Sequence, residues 1–464
     1  MPSMDNGYWK KLGKKVGPKS EPLSLLYIAT YLNKNGHECE VLDCEALGIP
    51  VEDLEHKIRE GKYDAVGVVL LTMMYSQAQA VCKLVKEVSP KTLTVVGGTH
   101  ATLRPKMSAE DPHFDMVAKG EAEVTFIEIV EWLEGLRKKV DIKGVAYKED
   151  GEVVFQEERE KIKDLDYFPM PDRGLIDMRQ YRPSVSYHKR LPAYTMITTR
   201  GCPYRCTFCA TAQSGYRMHS VERVIEEMKI LVEVYGAKEI LLRDDTFTLK
   251  RDRTLELCEA IIKEGLHEKM IWDCITRANL VDEELLKKMK EAGCWGIHFG
   301  VEGGTQKLMD AVQKDTTLEI VRDAFKWCKE LGIETRGYFM VGMPGSKTED
   351  DEVTIAFAKE LNPDWAQFTI ATPYPGTKLF DEAEKWGKFH TDKNDWDKYL
   401  TWSGYSEMEL AWTAHGRTSQ EIKDLQKRAM REFYFRPKII FEKLTDVENI
   451  PILKKYVVGA LALR

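Results

Sequence analysis

Apolar residues recur along this chain with the period of a helix in some stretches and of a strand in others, and the two kinds alternate. Pro22-Leu-Ser-Leu-Leu26 opens a run, continuing to Leu32, in which apolar positions return every three or four residues. This predicts a helix with proline in its first turn and Gly36 as its stop. Glu38–Asp43 is expected as a strand, and Asp64–Leu71, an almost unbroken apolar run, as a strand buried on both faces. Gln77–Val88 predicts a helix, Leu93–Val96 and Asp115–Ala118 strands, and Glu123–Leu133 a closing helix. The alternation implies an α/β, doubly wound (Rossmann-like) parallel sheet over residues 1–135, with its ligand crevice at the carboxyl ends of the strands.

Residues 136–190 break the pattern. Ile142–Tyr147 and Glu152–Gln156 flank Asp150-Gly151, a hairpin signal, and Phe168-Pro-Met-Pro-Asp172 predicts an extended linker without chemistry of its own. A longer alternation fills 191–385. Strands are expected at 194–199, 238–243, 271–276, 295–301, 335–341 and 366–371. Helices are expected at 220–235, 251–264, 282–292, 305–313, 318–331 and 349–361. Six strand–helix repeats predict a partial (β/α)6 barrel, because a closed eightfold barrel takes about 250 residues. Residues 386–464 are expected to form a small helical region, with a helix over Ser419–Arg436 and shorter ones in 437–463. Its apolar Val457–Leu463 stretch has three readings: docking on the core, which is favoured, contact with a hydrophobic substrate, or contact with a membrane surface.

The chemistry is concentrated in Gly201-Cys202-Pro-Tyr-Arg-Cys206-Thr-Phe-Cys209. Three thiolates in a C-x3-C-x2-C loop can hold three irons of a [4Fe–4S] cube and leave the fourth iron open to a ligand. The competing reading is zinc, which in structural sites takes four ligands, usually as paired sets, and no second pair lies nearby. The other seven cysteines are scattered, which fits a reducing cytoplasm better than a disulfide scaffold. A net charge of −7 gives a nucleic-acid partner no electrostatic support, and no apolar run approaches the length of a spanning helix.

At the cysteine loop, with Phe208 before the third thiol, the chain resembles the radical S-adenosylmethionine (SAM) superfamily. That resemblance implies an open iron that chelates SAM, reductive cleavage of SAM to a 5′-deoxyadenosyl radical, and an external electron donor of flavodoxin or ferredoxin type. It also implies roles after the strand ends. Asp244 and Asp245 are candidates for the SAM amino group, Asp245 equally for a helix cap. Arg277 is a candidate for the SAM carboxylate, or for a salt bridge inside the barrel. Glu302 is expected near the SAM ribose, and Gly342 at a backbone turn bordering adenine.

Pro22–Leu26, Val96-Gly-Gly-Thr-His-Ala-Thr102 and Gly120-Glu-Ala-Glu123 together resemble the cobalamin-binding domain of B12-dependent radical SAM enzymes. A corrinoid is then expected over the strand ends, its lower face on Thr72 and Met73, its tail near Gly97, Gly98 and Thr99, and with Gly120 and Glu121 nearby. The apolar strand with which family members usually begin is missing from the Met1-Pro-Ser-Met-Asp-Asn start. Asp111-Pro-His113 lacks the glycine of the cobalt-ligand motif, with Met116 in its place, so His113 is expected in a turn and His100 in loop packing. The function implied is methylation of an unactivated carbon of a small, hydrophobic molecule. The alternatives are cobalamin-assisted oxidation or ring closure, as in the anaerobic magnesium-protoporphyrin cyclases, and a non-catalytic corrinoid carrier.

Overall fold

The computed structural model describes residues 19–399, 408–437 and 439. The Met1–Asn6 start and the expected helices beyond 439, with Val457–Leu463, lie outside the described residues.

The first sheet follows from the valine-rich strands of the N-terminal third. Helix α1 (Leu23–Lys34) precedes β1 (Ala65–Val69), α2 (Tyr75–Val88), β2 (Leu93–Gly97), β3 (Met116–Ala118) and α3 (Glu123–Leu133). Strands β1, β2 and β3 are parallel, with Val68 opposite Val96 and Val95 opposite Met116. Burial of Val68, Val96 and Val117 against Ala78, Val81 and Val85 of α2 supplies the apolar contact that fixes the layer.

Three expectations need correction here. Glu38–Asp43 carries no strand: its backbone finds no ladder partner among the described residues, and the Asn33 side chain instead accepts from the Cys39 N–H. Asp64–Leu71 is not buried on both faces: Asp64 and Gly67 are exposed, and only Val68 and Leu70 are fully buried. The hairpin is not a separate connector. Strands β4 (Val145–Glu149) and β5 (Glu152–Phe155) extend the sheet, β4 running antiparallel to β3. The sheet therefore continues past residue 135. Asp150 and Gly151 both have positive φ, 48° and 88°, as a tight hairpin turn requires.

The second sheet begins with β6 (Ala193–Met196) and a small ladder of β7 (Thr199–Arg200) with β8 (Arg217–Met218). Then follow α4 (Val221–Glu233), β9 (Glu239–Leu242), α5 (Arg251–Lys263), β10 (Ile271–Thr276), α6 (Glu283–Glu291) and β11 (Cys294–Glu302). Helices α7 (Gln306–Ala311) and α8 (Leu318–Glu330), β12 (Glu334–Val341), α9 (Thr348–Leu361) and β13 (Trp365–Ile370) complete the alternation. Strands β6, β9, β10, β11, β12 and β13 pair in chain order and in parallel, and β6 does not pair with β13. This is the open barrel that the strand count predicts. A buried polar group links its strands: Arg243 grips Asp273 at 2.8 and 3.1 Å, and His298 bridges Asp273 to the Tyr338 hydroxyl.

The C-terminal region is not wholly helical, since β14 (Gly387–Phe389) pairs antiparallel with β15 (Trp412–Ala414). Helix α10 (Ser419–Tyr434) covers the open edge of the barrel. Gln426 donates to the Phe368 carbonyl at 2.8 Å, and the Tyr434 hydroxyl bonds both backbone groups of Ala366. Covering side chains of this kind block pairing at an exposed strand edge.

Candidate functional site

The cysteine loop hangs between β7 and β8. Gly201 is required at its entry: its φ is +86°, and a Cβ there would lie 1.8 Å from the Gly215 carbonyl. Backbone bonds fold the loop on itself, from Ser214 N–H to Cys202 O at 3.1 Å and from Gln213 N–H to Tyr204 O at 2.8 Å. Thr207 N–H ties it to Val312 O at 3.0 Å. Cys202 and Cys206 are buried and Cys209 half-buried. Each sulfur meets polar groups: Cys202 the Thr246 hydroxyl at 3.5 Å, Cys209 the Thr211 hydroxyl at 3.3 Å, and Cys206 the Arg277 guanidinium at 3.3 Å. Burial pushes the Cys209 thiol above its usual range, against the hydrogen bond from Thr211. Among the described residues no group of His, Cys, Asp or Glu side chains closes around a single ion. Structural zinc takes four ligands, whereas three thiolates suffice for a cube with one open iron, so the three-cysteine donor set fits a cluster better than zinc.

Several expected SAM residues are occupied otherwise. Asp244 accepts from the backbone N–H and the hydroxyl of both Thr198 and Thr199, so its carboxylate is saturated and holds the strand that leads into the cysteine loop. Asp245 is exposed beside that loop, and no side-chain cap begins the turn that follows it. Among the described residues Arg277 makes no salt bridge inside the barrel. It stacks on the Tyr204 ring at 3.7 Å and donates to Asn279, Cys206 and the Lys314 carbonyl. Glu302 ends β11 at φ +70° with its Oε1 on the Lys314 ammonium at 2.6 Å, both side chains buried. Phe208 packs into the apolar cluster of Leu308, Val312 and Met340. The Gly342 N–H bonds Asp351, and Ile422 of α10 fills the space beside it.

At the ends of the first sheet, Gly97, Gly98, Thr99 and Gly120 form a rim of small residues, with Gly120 facing open space. A Cβ at Gly98 would meet the Leu70 carbonyl at 3.1 Å, with φ at +114°. Thr72 and Met73 lie below, where the Thr72 hydroxyl meets His100 Nδ1 at 3.0 Å. His100 Nε2 is buried without a partner among the described residues, and burial lowers the imidazole pKa to about 4. Trp396 packs on that ring at 4.9 Å. His113 sits in a turn whose N–H bonds Asp111. Uncharged, shallow strand ends of this kind fit a broad, flat ligand. Glu121 departs from expectation. Its carboxylate faces the second domain, bonding Arg217 and lying 3.2 Å from Arg200.

The sequence reading missed Tyr204, Lys314, Arg200, Arg217, Leu103 and Trp396. Tyr204 stood inside the motif and carried a signal. Leu103 and Trp396 carried none, because only tertiary packing brings them to the site. Leu103, Cys206, Cys209, Gln313 and Gly376 line a cavity of about 440 Å³, with Leu103 contributed from just beyond the Gly97–Gly98 turn. Leu103 is the residue by which the first domain borders the space beside the cysteine loop.

The pattern described as the radical SAM superfamily matches residues 196–358, and the one described as the B12-binding domain matches residues 9–130. An uncharacterized methyltransferase of Pyrococcus horikoshii is 35% identical over 450 residues, spanning 96% of this chain and 94% of that protein. An anaerobic magnesium-protoporphyrin IX monomethyl ester cyclase of Rubrivivax gelatinosus is 31% identical over 380 residues, 80% of this chain and 67% of that protein. Among solved structures, the radical SAM methyltransferase TsrM of Kitasatospora setae superposes with a TM-score of 0.67 at 19% identity, over 80% of this chain and 74% of that one. At that identity the likeness shows the fold.

Proposed function

This chain belongs to the radical SAM superfamily, in the branch that carries an N-terminal B12-binding domain, and from that premise we propose that it methylates an unactivated carbon of a small, hydrophobic molecule. It is a radical SAM enzyme whose cofactors are a [4Fe–4S] cluster, SAM and cobalamin. When bound, the cluster with SAM supplies a hydrogen-abstracting radical and cobalamin a carrier for methyl. The observation that carries the proposal is the cavity lined by Leu103 from the first domain and by Cys206 and Cys209 of the cysteine loop. Two-cofactor chemistry on one carbon needs such proximity.

In this reading Cys202, Cys206 and Cys209 hold three irons, and Glu302 accepts ribose hydroxyls. Lys314 fixes one oxygen of that carboxylate and leaves Oε2 for the ligand. Asp245, exposed beside the loop, remains the candidate for the SAM amino group. Thr72, Met73, Gly97, Gly98, Thr99 and Gly120 border the corrinoid. Phe208 and the Gly342 turn shape the SAM pocket from behind. A cytoplasmic, anaerobic setting and a flavodoxin- or ferredoxin-type donor belong to the same reading. Among the described residues no helix is long and apolar enough to cross a membrane.

The likeness to the cyclase favours a second reading, oxidative ring closure without methyl movement. Incubation of the reduced, reconstituted enzyme with methyl-deuterated SAM and a cell extract separates the two. Methylation predicts a product that carries the intact CD3 group. Unlabelled product formed together with 5′-deoxyadenosine would replace the proposal by the cyclisation reading.

A further inference from the structure

Arg277 is a buried cation, 5% exposed, at the end of β10. Among the described residues no carboxylate pairs with it. Its Nε donates to Asn279 at 3.1 Å and its Nη2 to the Lys314 carbonyl. Tyr204 covers one face of the guanidinium, and the Asn279 amide lies 3.5 Å from the Tyr204 hydroxyl. The remaining edge presents Nη1 to the Cys206 sulfur at 3.3 Å.

A guanidinium stays charged in proteins and presents its donors in a rigid plane. Buried charge is costly without an opposite charge. The neighbours of Arg277 are an amide, carbonyls and a ring, all neutral. Among the described residues, the group in contact with it that becomes an anion on taking iron is the Cys206 sulfur. Every edge of the guanidinium is then committed, which leaves none to grip a SAM carboxylate in the forked manner first expected.

Resting on the reading of the three cysteines as cluster ligands, we propose that Arg277 is a positioning residue that raises the reduction potential of the cluster, through a charge-assisted N–H···S bond to Cys206. Hydrogen bonds to ligand sulfurs and the net charge around a cluster both set its potential. Reduction adds an electron to the cluster, and a fixed cation against one ligand stabilises that added charge. The loop that supplies the Lys314 carbonyl carries positive φ at Gln313 and Asp315, 53° and 50°, and its Val312 carbonyl binds the cysteine loop. Strained backbone held this way is found where geometry is over-determined by its surroundings. Here it fixes the guanidinium at one distance from the sulfur.

The test is an anaerobic redox titration of the reconstituted full chain without SAM, followed by the electron paramagnetic resonance of the reduced cluster. SAM affinity is measured separately by equilibrium dialysis. Arg277→Gln is expected to keep its iron and to be reduced about tenfold less readily, a fall of about 59 mV for a one-electron couple. Tyr204→Leu, which frees the guanidinium from its plane but keeps its charge, is expected to shift the same way by less. Tyr204→Phe should not shift. If Arg277→Gln fails to hold iron, the Tyr204→Leu and Tyr204→Phe pair decides. An unchanged potential, above all with a weakened SAM affinity, would overturn the proposal and return Arg277 to the SAM carboxylate. Failure of the unaltered chain to hold a cluster would instead remove the premise on which the inference rests.

Discussion

Asp244 is 1% exposed and accepts four hydrogen bonds from two threonines. Asparagine has the same shape but turns an NH2 group toward donors, so the Asp244→Asn variant should lose about 2–3 kcal/mol of stability. Urea unfolding checks this, and a loss below about 0.5 kcal/mol, the scale of a plain surface change, would sink it. His100 gives a second residue-scale expectation. Burial lowers its pKa to about 4, so the folded chain resists the proton that an unfolded histidine takes up near its ordinary range. Stability is therefore complete above that ordinary range and is lost as the pH falls toward 4. At pH 5.5 the loss from this residue is about 1.4 kcal/mol. His100→Gln removes the titration, so its stability should fall by that much less than the unaltered chain's between pH 7.5 and 5.5. Equal slopes in the two proteins would refute the assignment.

At the scale of elements, the ladder of β7 and β8 clips the base of the cysteine loop, with Arg200 opposite Arg217. Both arginines reach the start of α3, where Arg217 bonds Glu121 in the preceding turn and Arg200 pairs with Glu123, the first residue of the helix, at 2.7 Å. Burial would raise the Glu121 carboxyl, yet the bonds from Arg217 and the charge of Arg200 hold it below the usual range. The first domain thus braces the loop that carries the ligands. Glu121→Gln should weaken this brace by about 1 kcal/mol, which opens the loop about fivefold more often. Iron loss to a chelator should quicken by that factor, and unchanged kinetics would show that the brace does not matter. The barrel elements were legible in the sequence because each buried strand and amphipathic helix carries its own period. Glu38–Asp43 was misread because its alternation is that of a strand, while pairing depends on a neighbour that local sequence does not reveal. Asp244 and Arg277 were legible as polar residues at strand ends. Their partners were not, because Thr198, Tyr204 and Lys314 reach them from distant parts of the chain.

At the scale of the whole molecule, the chain closes on itself. Trp396, far along the sequence, packs on His100 and Tyr75 of the first domain, and Ser76 donates to Asp397 at 2.9 Å. The Tyr374 hydroxyl, from the loop after β13, bonds the Tyr399 carbonyl at 3.1 Å, so the same segment is fastened to the barrel. The glycine of that loop is also a close fit, since a Cβ at Gly376 would lie 2.5 Å from Leu103. Two sheets joined by a covalent linker alone are free to unfold separately, whereas a third contact of this kind makes them one cooperative unit. The intact protein should accordingly melt in a single calorimetric transition. Trp396→Ala removes a buried indole, a change worth about 3–5 kcal/mol, and removes it at the junction. The first domain should then melt ahead of the barrel, giving two transitions. Hydroxocobalamin at a hundred times its dissociation constant should return about 2.7 kcal/mol to the first domain alone. That draws the two transitions together without moving the later one. A variant that still melts in one step, shifted by less than about 1 kcal/mol, would mean that Trp396 does not join the domains and that they are coupled through the linker and the Glu121 brace instead.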